Sequence, residues 1–253
     1  MDKDIVMLVA THKKYSFPSD DVYMPLHVGK EGKEDLGYEG DNTGENISNK
    51  NTMYCELTGM YWAYKNISCN YIGLVHYRRY FLNENGKDYE DILTRKDIEK
   101  LMLKYDIVLP QKTKTLQKNV REAYAHMHFG KDLDNLEDIL KKKYPNYCDA
   151  FDKVMQSNEI SLCNMFIMSK KNFDDYCYWL FDILFELEKI TDITGYSNYQ
   201  KRIYGFLAER LFNVWIEYHK SLKKCYLPLF ETEPMKRIDG YKALLKNILG
   251  IKN

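Results

Sequence analysis

Three groups of chemically capable side chains stand inside apolar stretches of this 253-residue chain. The first is YIGLVHYRRYF, residues 71 to 81, in which His76, Arg78 and Arg79 close an apolar run. Guanidinium groups present planar, paired N–H donors that match diphosphate oxygens better than an ammonium does. If the run is a strand, His76 and Arg78 face one side and Tyr77 and Arg79 the other, so both arginines serve one surface only if the strand ends before them. The competing reading pairs the arginines with Glu84, Asp88 or Asp91. The second group is Glu209 and Arg210 in GFLAERLFNVW, where Leu207, Leu211, Val214 and Trp215 form the apolar stripe of a helix. A partly buried carboxylate there has a raised pKa and suits general-base work, and a solvated Glu–Arg pair is the ordinary alternative. The third is AYAHMHFGKDLDNL, with His126 and His128 two apart and Asp132 four further on. His-x-His chelates metals on a strand, but no second ligand cluster stands at a matching spacing, so no metal site is expected here.

A polar stretch, GYEGDNTGENISNKN (37 to 51), carries Asp41, Asn42 and Glu45 into the start of a helix. Its backbone N–H groups and short side chains suit either a ligand or a helix cap. It contains neither G-x-G-x-x-G nor G-x-x-x-x-G-K-[ST], which removes the dinucleotide and P-loop readings.

Positioning these groups requires a sheet. The runs DIVMLVA (4–10), YIGLV (71–75) and DIVLP (106–110) read as strands, the first two as central strands covered on both faces. Between them, Leu57, Met60, Tyr61 and Tyr64 mark one helix, with Asn51 or Thr52 as its N-cap, and residues 95–104 mark another. The resulting β-α-β-α-β order predicts parallel strands and a ligand crevice at their carboxyl ends. The later half reads as helices over 132–144, 147–155, 172–190 and 204–219, with a strand SLCNMFIMS (161–169) among them. Residues 16–50 are polar and aperiodic, the signature of a functional loop.

Composition excludes several classes. Lys plus Arg and Asp plus Glu are equal at 37 each, so no global field favours nucleic acid and recognition must come from local clusters. The six cysteines show no C-x-x-C and are expected to be reduced. The opening MDKDIVMLVATHKK is too short and too acidic for a signal peptide, and no window approaches a membrane span, which predicts a cytoplasmic protein. Aromatic residues make up 14% of the chain, compatible with a sugar- or base-stacking site and equally with a Tyr-rich core. We divide the chain at 1–232, the folded unit, and 233–253, a basic amphipathic tail. In that tail Ile238, Tyr241, Leu244, Leu245 and Ile248 recur at helical spacing among Lys236, Arg237, Lys242, Lys246 and Lys252. Such a helix either docks on the domain or rests on an anionic membrane leaflet.

Four segments in order, GENISNKNTMYCELTGMYWAYKN, YIGLVHYRRYF, CNMFIMSKKNFDDYCYWLFDILFELE and FLAERLFNVW, resemble a family of bacterial capsular and exopolysaccharide biosynthesis proteins. That family was long of unknown function and is grouped with glycosyltransferases, some of them galactofuranosyltransferases. The resemblance runs from about residue 4 to residue 230. It implies a GT-A-like α/β fold, with a mainly parallel central sheet flanked by helices and a helical C-terminal half. It also implies transfer of a hexose from a UDP-sugar to a glycan or lipid-linked oligosaccharide. In such folds an Asp-x-Asp at a strand end holds a metal against the diphosphate. Here HYRR stands in that place and the DLD at 132 to 134 opens a helix. Arg78 and Arg79 are therefore expected to neutralise the diphosphate, with no cofactor needed beyond the donor and the part of a divalent metal left open. By the same resemblance Glu209 is the catalytic base of an inverting enzyme, Thr11 and His12 meet the nucleotide, and Asn164 hydrogen-bonds in the donor-sugar and acceptor pocket. His76, His128, Asp132, Asp41, Asn42 and Arg210 complete the expected substrate-binding set. A non-catalytic nucleotide- or carbohydrate-binding protein of the same fold is the alternative, and no nucleic-acid partner is expected.

Overall fold

The computed structural model describes residues 4–233; the basic tail of residues 235 to 253 lies outside the described residues. In chain order the elements are β1 (Ile5–Thr11), β2 (Tyr23–His27), β3 (Glu39–Gly40), α1 (Asn51–Tyr54), α2 (Leu57–Asn66), β4 (Tyr71–His76), β5 (Arg79–Phe81), α3 (Arg95–Met102), β6 (Ile107–Pro110) and β7 (Thr113–Lys114). They continue with α4 (Val120–Met127), α5 (Gly130–Lys143), α6 (Cys148–Gln156), β8 (Glu159–Ile160), β9 (Phe166–Ser169), α7 (Lys170–Ile190), α8 (Ile203–Tyr218), β10 (Lys224–Leu227) and β11 (Leu229–Glu231).

The main sheet runs β10-β6-β9-β4-β1-β2-β3. The pairs β4/β1, β1/β2, β2/β3 and β6/β10 are parallel, and β9 lies antiparallel between β4 and β6. The expected mainly parallel α/β sheet is therefore present along this path, with β9 reversed within it and β5 and β11 joined antiparallel at its side, none of which periodicity reveals. Every residue of β1 is buried, because helices and a side ladder cover its two faces. Val6, Leu8 and Ala10 join the core formed with α2 and α4 to α8, whereas Ile5, Met7 and Val9 join Tyr80, Phe81 and α3 on the other face. This split at every second residue is the strand period seen in burial. At the centre, Gly73 of β4 is obligatory, since a Cβ there would stand 3.0 Å from the Phe166 carbonyl oxygen and closer still to Met7.

Three sequence expectations change. Residues 16–50 contain β2 and β3, parallel strands at the sheet edge, of five and two residues, too short to leave a pattern. Asn51 and Thr52 do not cap α2; they begin α1, and the chain breaks at Cys55 (φ 53°) before α2 resumes. The strand expected over 161–169 is ordered as β9 only from Phe166, because Cys163 and Asn164 take left-handed conformations (φ 80° and 50°).

Candidate functional site

Parallel pairing sets the carboxyl ends of β1 and β4 side by side, with Ala10 opposite His76. Just beyond them opens a cavity of about 1030 Å³, the place where α/β sheets commonly bind ligands. His12, after β1, and His76 to Arg79, at the end of β4, form its floor. Asn51, Cys55 and Glu56 come from the break between α1 and α2, Cys163 from the turn before β9, and Arg202 and Glu209 from the start and second turn of α8.

β4 ends at His76 and the chain turns back into β5, so that His76 pairs with Arg79. The strand alternation that would have separated the arginines is thereby cancelled, and both line the cavity. Their roles differ. Arg79 Nε donates to Glu231 Oε1 at 2.8 Å across the β5/β11 ladder. Arg78 sits over the Tyr77 ring, 5.8 Å from its centroid, and makes no ion pair among the described residues. Lys33, Lys201 and Arg202 also line the cavity without an ion-pair partner among the described residues. Burial lowers the pKa of His12, and Lys13, Lys33, Arg78 and Arg202 lower it further, so the imidazole registers a local positive field. A chain with no net charge thus concentrates unpaired cations at one mouth.

Glu209 supplies the opposite charge. Its Oε1 accepts the Cys163 N–H at 2.8 Å and its Oε2 accepts Arg210 Nη1 at 2.8 Å. Burial pushes its pKa up, Arg210 and the Cys163 N–H oppose that rise, and the nearby Glu56 adds to it. Each carboxylate oxygen retains acceptor capacity beyond the bond it makes.

The Cys163–Asn164 turn holds the site together. The Cys163 N–H goes to Glu209, and its carbonyl accepts His76 Nε2–H at 2.7 Å, which fixes the proton of that ring on Nε2. Asn164 Nδ2 donates to Glu56 Oε1 at 2.8 Å and to the Gly205 carbonyl at 3.2 Å. Three cavity side chains from three different elements are thus anchored on two consecutive residues.

Of the sequence candidates, His12, His76, Arg78, Arg79 and Glu209 line the cavity; Arg210 stands behind Glu209 and Asn164 behind Glu56. Asn42 is partly buried and is not in the lining. The other four are spent within the fold. Asp41 accepts the Gly29 and Lys30 N–H groups and the Ser48 and Thr58 hydroxyls, tying β2 to α2. Buried Thr11 donates to the Lys13 carbonyl at 2.7 Å, turning the chain after β1. His128 stacks on Phe206 with centroids 4.1 Å apart, its Nδ1 3.1 Å from Gln200 Oε1. Asp132 is buried in the first turn of α5, which begins two residues earlier at Gly130, and it accepts the Tyr196 O–H at 2.7 Å. Glu56, Cys163, Lys33, Lys201 and Arg202 were not singled out from sequence. Only the last two carried a readable signal, a basic KR pair just ahead of α8. All six cysteines are free thiols, and Cys55 and Cys163 lie in the cavity wall.

The strand end that faces the cavity carries His76, Arg78 and Arg79 and no pair of carboxylates. Among the described residues no group of three or more His, Cys, Asp or Glu side chains is arranged to hold a metal ion. No helix among the described residues is long and apolar enough to cross a membrane.

A family model described as a domain of unknown function, DUF4422, matches residues 6–221. The apo structure of WbbM, a bifunctional glycosyltransferase, superposes with a TM-score of 0.85 at 33% sequence identity. The match covers 91% of this chain and 46% of the WbbM chain, so the present chain spans about half the length of that protein. No curated protein matches the chain.

Proposed function

We propose, starting from the fact that the chain belongs to the DUF4422 family, that it is a glycosyltransferase acting on a nucleotide-diphosphate sugar. The observation that carries this reading is the pairing, in one cavity, of a firmly held carboxylate, Glu209, with four cations that make no ion pair among the described residues, Lys33, Arg78, Lys201 and Arg202. A sugar diphosphate needs both. The cations bind its phosphates and stabilise the charge that grows on the leaving group, and the carboxylate takes the proton of the incoming hydroxyl.

The reaction is a direct displacement. The acceptor oxygen forms a bond to the anomeric carbon, the bond from that carbon to the diphosphate oxygen breaks, and the hydroxyl proton passes to Glu209. The nucleoside diphosphate leaves with the bonding pair and the anomeric centre inverts. Burial suits Glu209 to this task, because a carboxylate whose pKa is raised is a stronger base. The likeness to a bifunctional glycosyltransferase over 91% of the chain supports transfer chemistry. The finer reading is a UDP-hexose donor, with galactofuranose the first sugar to test, and a glycan or lipid-linked oligosaccharide acceptor in capsule or exopolysaccharide synthesis at the cytoplasmic face of the membrane. The basic tail beyond residue 233 is the segment proposed to contact that surface.

A panel of UDP-hexoses with and without oligosaccharide acceptors tests the proposal. We expect acceptor-dependent release of UDP with one donor and an inverted anomeric centre in the product. A protein that binds UDP-sugars and leaves every one intact, alone or with acceptor, would be the non-catalytic binder instead.

A further inference from the structure

Beside the main cavity lies a second cleft, of about 870 Å³, walled by Tyr15, Tyr38, Tyr89 and Phe230, with Thr232 and Lys14 at its edges. Its rings come from four separated segments: the β1–β2 connection, the approach to β3, the turn before α3, and β11. They are held in place rather than loosely gathered. Tyr89 and Phe230 meet edge to face at 6.0 Å, and the Tyr15 and Thr232 hydroxyls lie 2.5 Å apart. Tyr38 Oη accepts the Tyr15 N–H at 3.4 Å. Tyr89 nevertheless leaves 43% of its surface exposed. A pair of packed rings links the cleft to the main cavity. Tyr77 lines that cavity and packs edge to face on Tyr15 at 5.1 Å, and Lys13 lies over both rings at 4.8 and 5.4 Å.

We propose that this cleft is the subsite for the distal sugars of the acceptor glycan, a claim that rests on the transferase reading above. Sugar rings present an apolar C–H face and a rim of hydroxyls, and fixed aromatic faces bordered by phenol and hydroxyl groups match both. Among the described residues one cation, Lys14, lines the cleft, whereas four cations without an ion pair among the described residues gather in the main cavity, so phosphates belong in the cavity and an uncharged chain of sugars in the cleft. The main cavity is itself at the upper end of the roughly 300–1,000 Å³ of ordinary ligand pockets and accommodates the donor without the cleft. An acceptor whose terminal hydroxyl reaches Glu209 then extends past Tyr77 onto Tyr15, Tyr38 and Tyr89.

The test compares a linear galactose tetrasaccharide with methyl galactoside as acceptors for the wild type, Tyr89→Ala and Tyr89→Phe. We expect the wild type and Tyr89→Phe to show a KM for the tetrasaccharide roughly tenfold below that for the monosaccharide. Tyr89→Ala should lose that advantage while keeping its kcat and its transfer to methyl galactoside. Equal KM values in the wild type, or a preference that survives in Tyr89→Ala, would overturn the subsite. Saturation-transfer NMR with the tetrasaccharide alone decides the subsite apart from the chemistry. Contact in the wild type that is lost in Tyr89→Ala supports it, even if no sugar is transferred and the transferase reading fails. No contact in the wild type, or contact that UDP abolishes, overturns it.

Discussion

Adjacent arginines in one turn carry different loads. Arg79 is spent on Glu231 across the β5/β11 ladder, and Arg78 faces the cavity without an ion-pair partner among the described residues. Arg78→Ala is therefore expected to lower kcat about 10²–10³-fold, the cost of removing one preorganised donor from a developing charge, with little change in Tm. Arg79→Ala should do the reverse, lowering Tm and leaving a smaller loss of turnover. Equal losses of turnover at unchanged Tm in the two variants would show that the ladder pairing does not separate them. The sequence revealed that HYRR is a cationic strand end, and left open whether alternation divides it. That depended on the reversal after His76, which brings His76 and Arg79 into register and which no local pattern announces. Asp41 failed as a ligand candidate for a related reason: acidic and polar in sequence, it is completely buried and answered by four donors from its own fold.

The element that organises the site is the turn Cys163–Asn164, between β8 and β9. Its work at Cys163 is done by backbone groups, the N–H toward Glu209 and the carbonyl toward His76, and the thiol takes no part in either bond. Its φ of 80° belongs to the region where a Cβ costs on the order of 1–2 kcal/mol and glycine costs nothing comparable. Cys163→Gly should consequently keep both activity and Tm, whereas Cys163→Val, β-branched, should lower Tm and turnover together. An inactive, stable Cys163→Gly would assign the thiol a role that the backbone bonds do not give it. Continuous apolar runs located β1, β4 and β6, because those strands are buried on both faces, and helical spacing located the long helices. It read 161–169 as one strand because CNMFIMS is apolar enough to be one, and left-handed backbone at non-glycine residues leaves no mark in hydropathy.

Across the molecule, charge and burial are segregated: the chain is neutral overall, yet four cations that make no ion pair among the described residues meet in one cavity while a histidine is sealed in the core. His128, at the end of α4, is 8% exposed, and burial holds its pKa down at about 4, with Arg210 and Arg202 adding to the effect and Gln200 opposing it. The unfolded chain binds the proton near pH 6.5 and the folded chain near 4, so protonation favours unfolding and stability falls as pH drops through that window. The loss is on the order of 3 kcal/mol. His128→Phe should flatten the Tm profile between pH 6.5 and 4 relative to the wild type, and parallel profiles would place the titration elsewhere. The same segregation makes Glu209 decisive. Glu209→Gln keeps the size of the side chain and removes its basicity. We expect it to bind the donor with wild-type affinity by calorimetry and to transfer sugar at least about a hundredfold more slowly, the range ascribed to general-base catalysis. Transfer at the wild-type rate by Glu209→Gln would contradict the account.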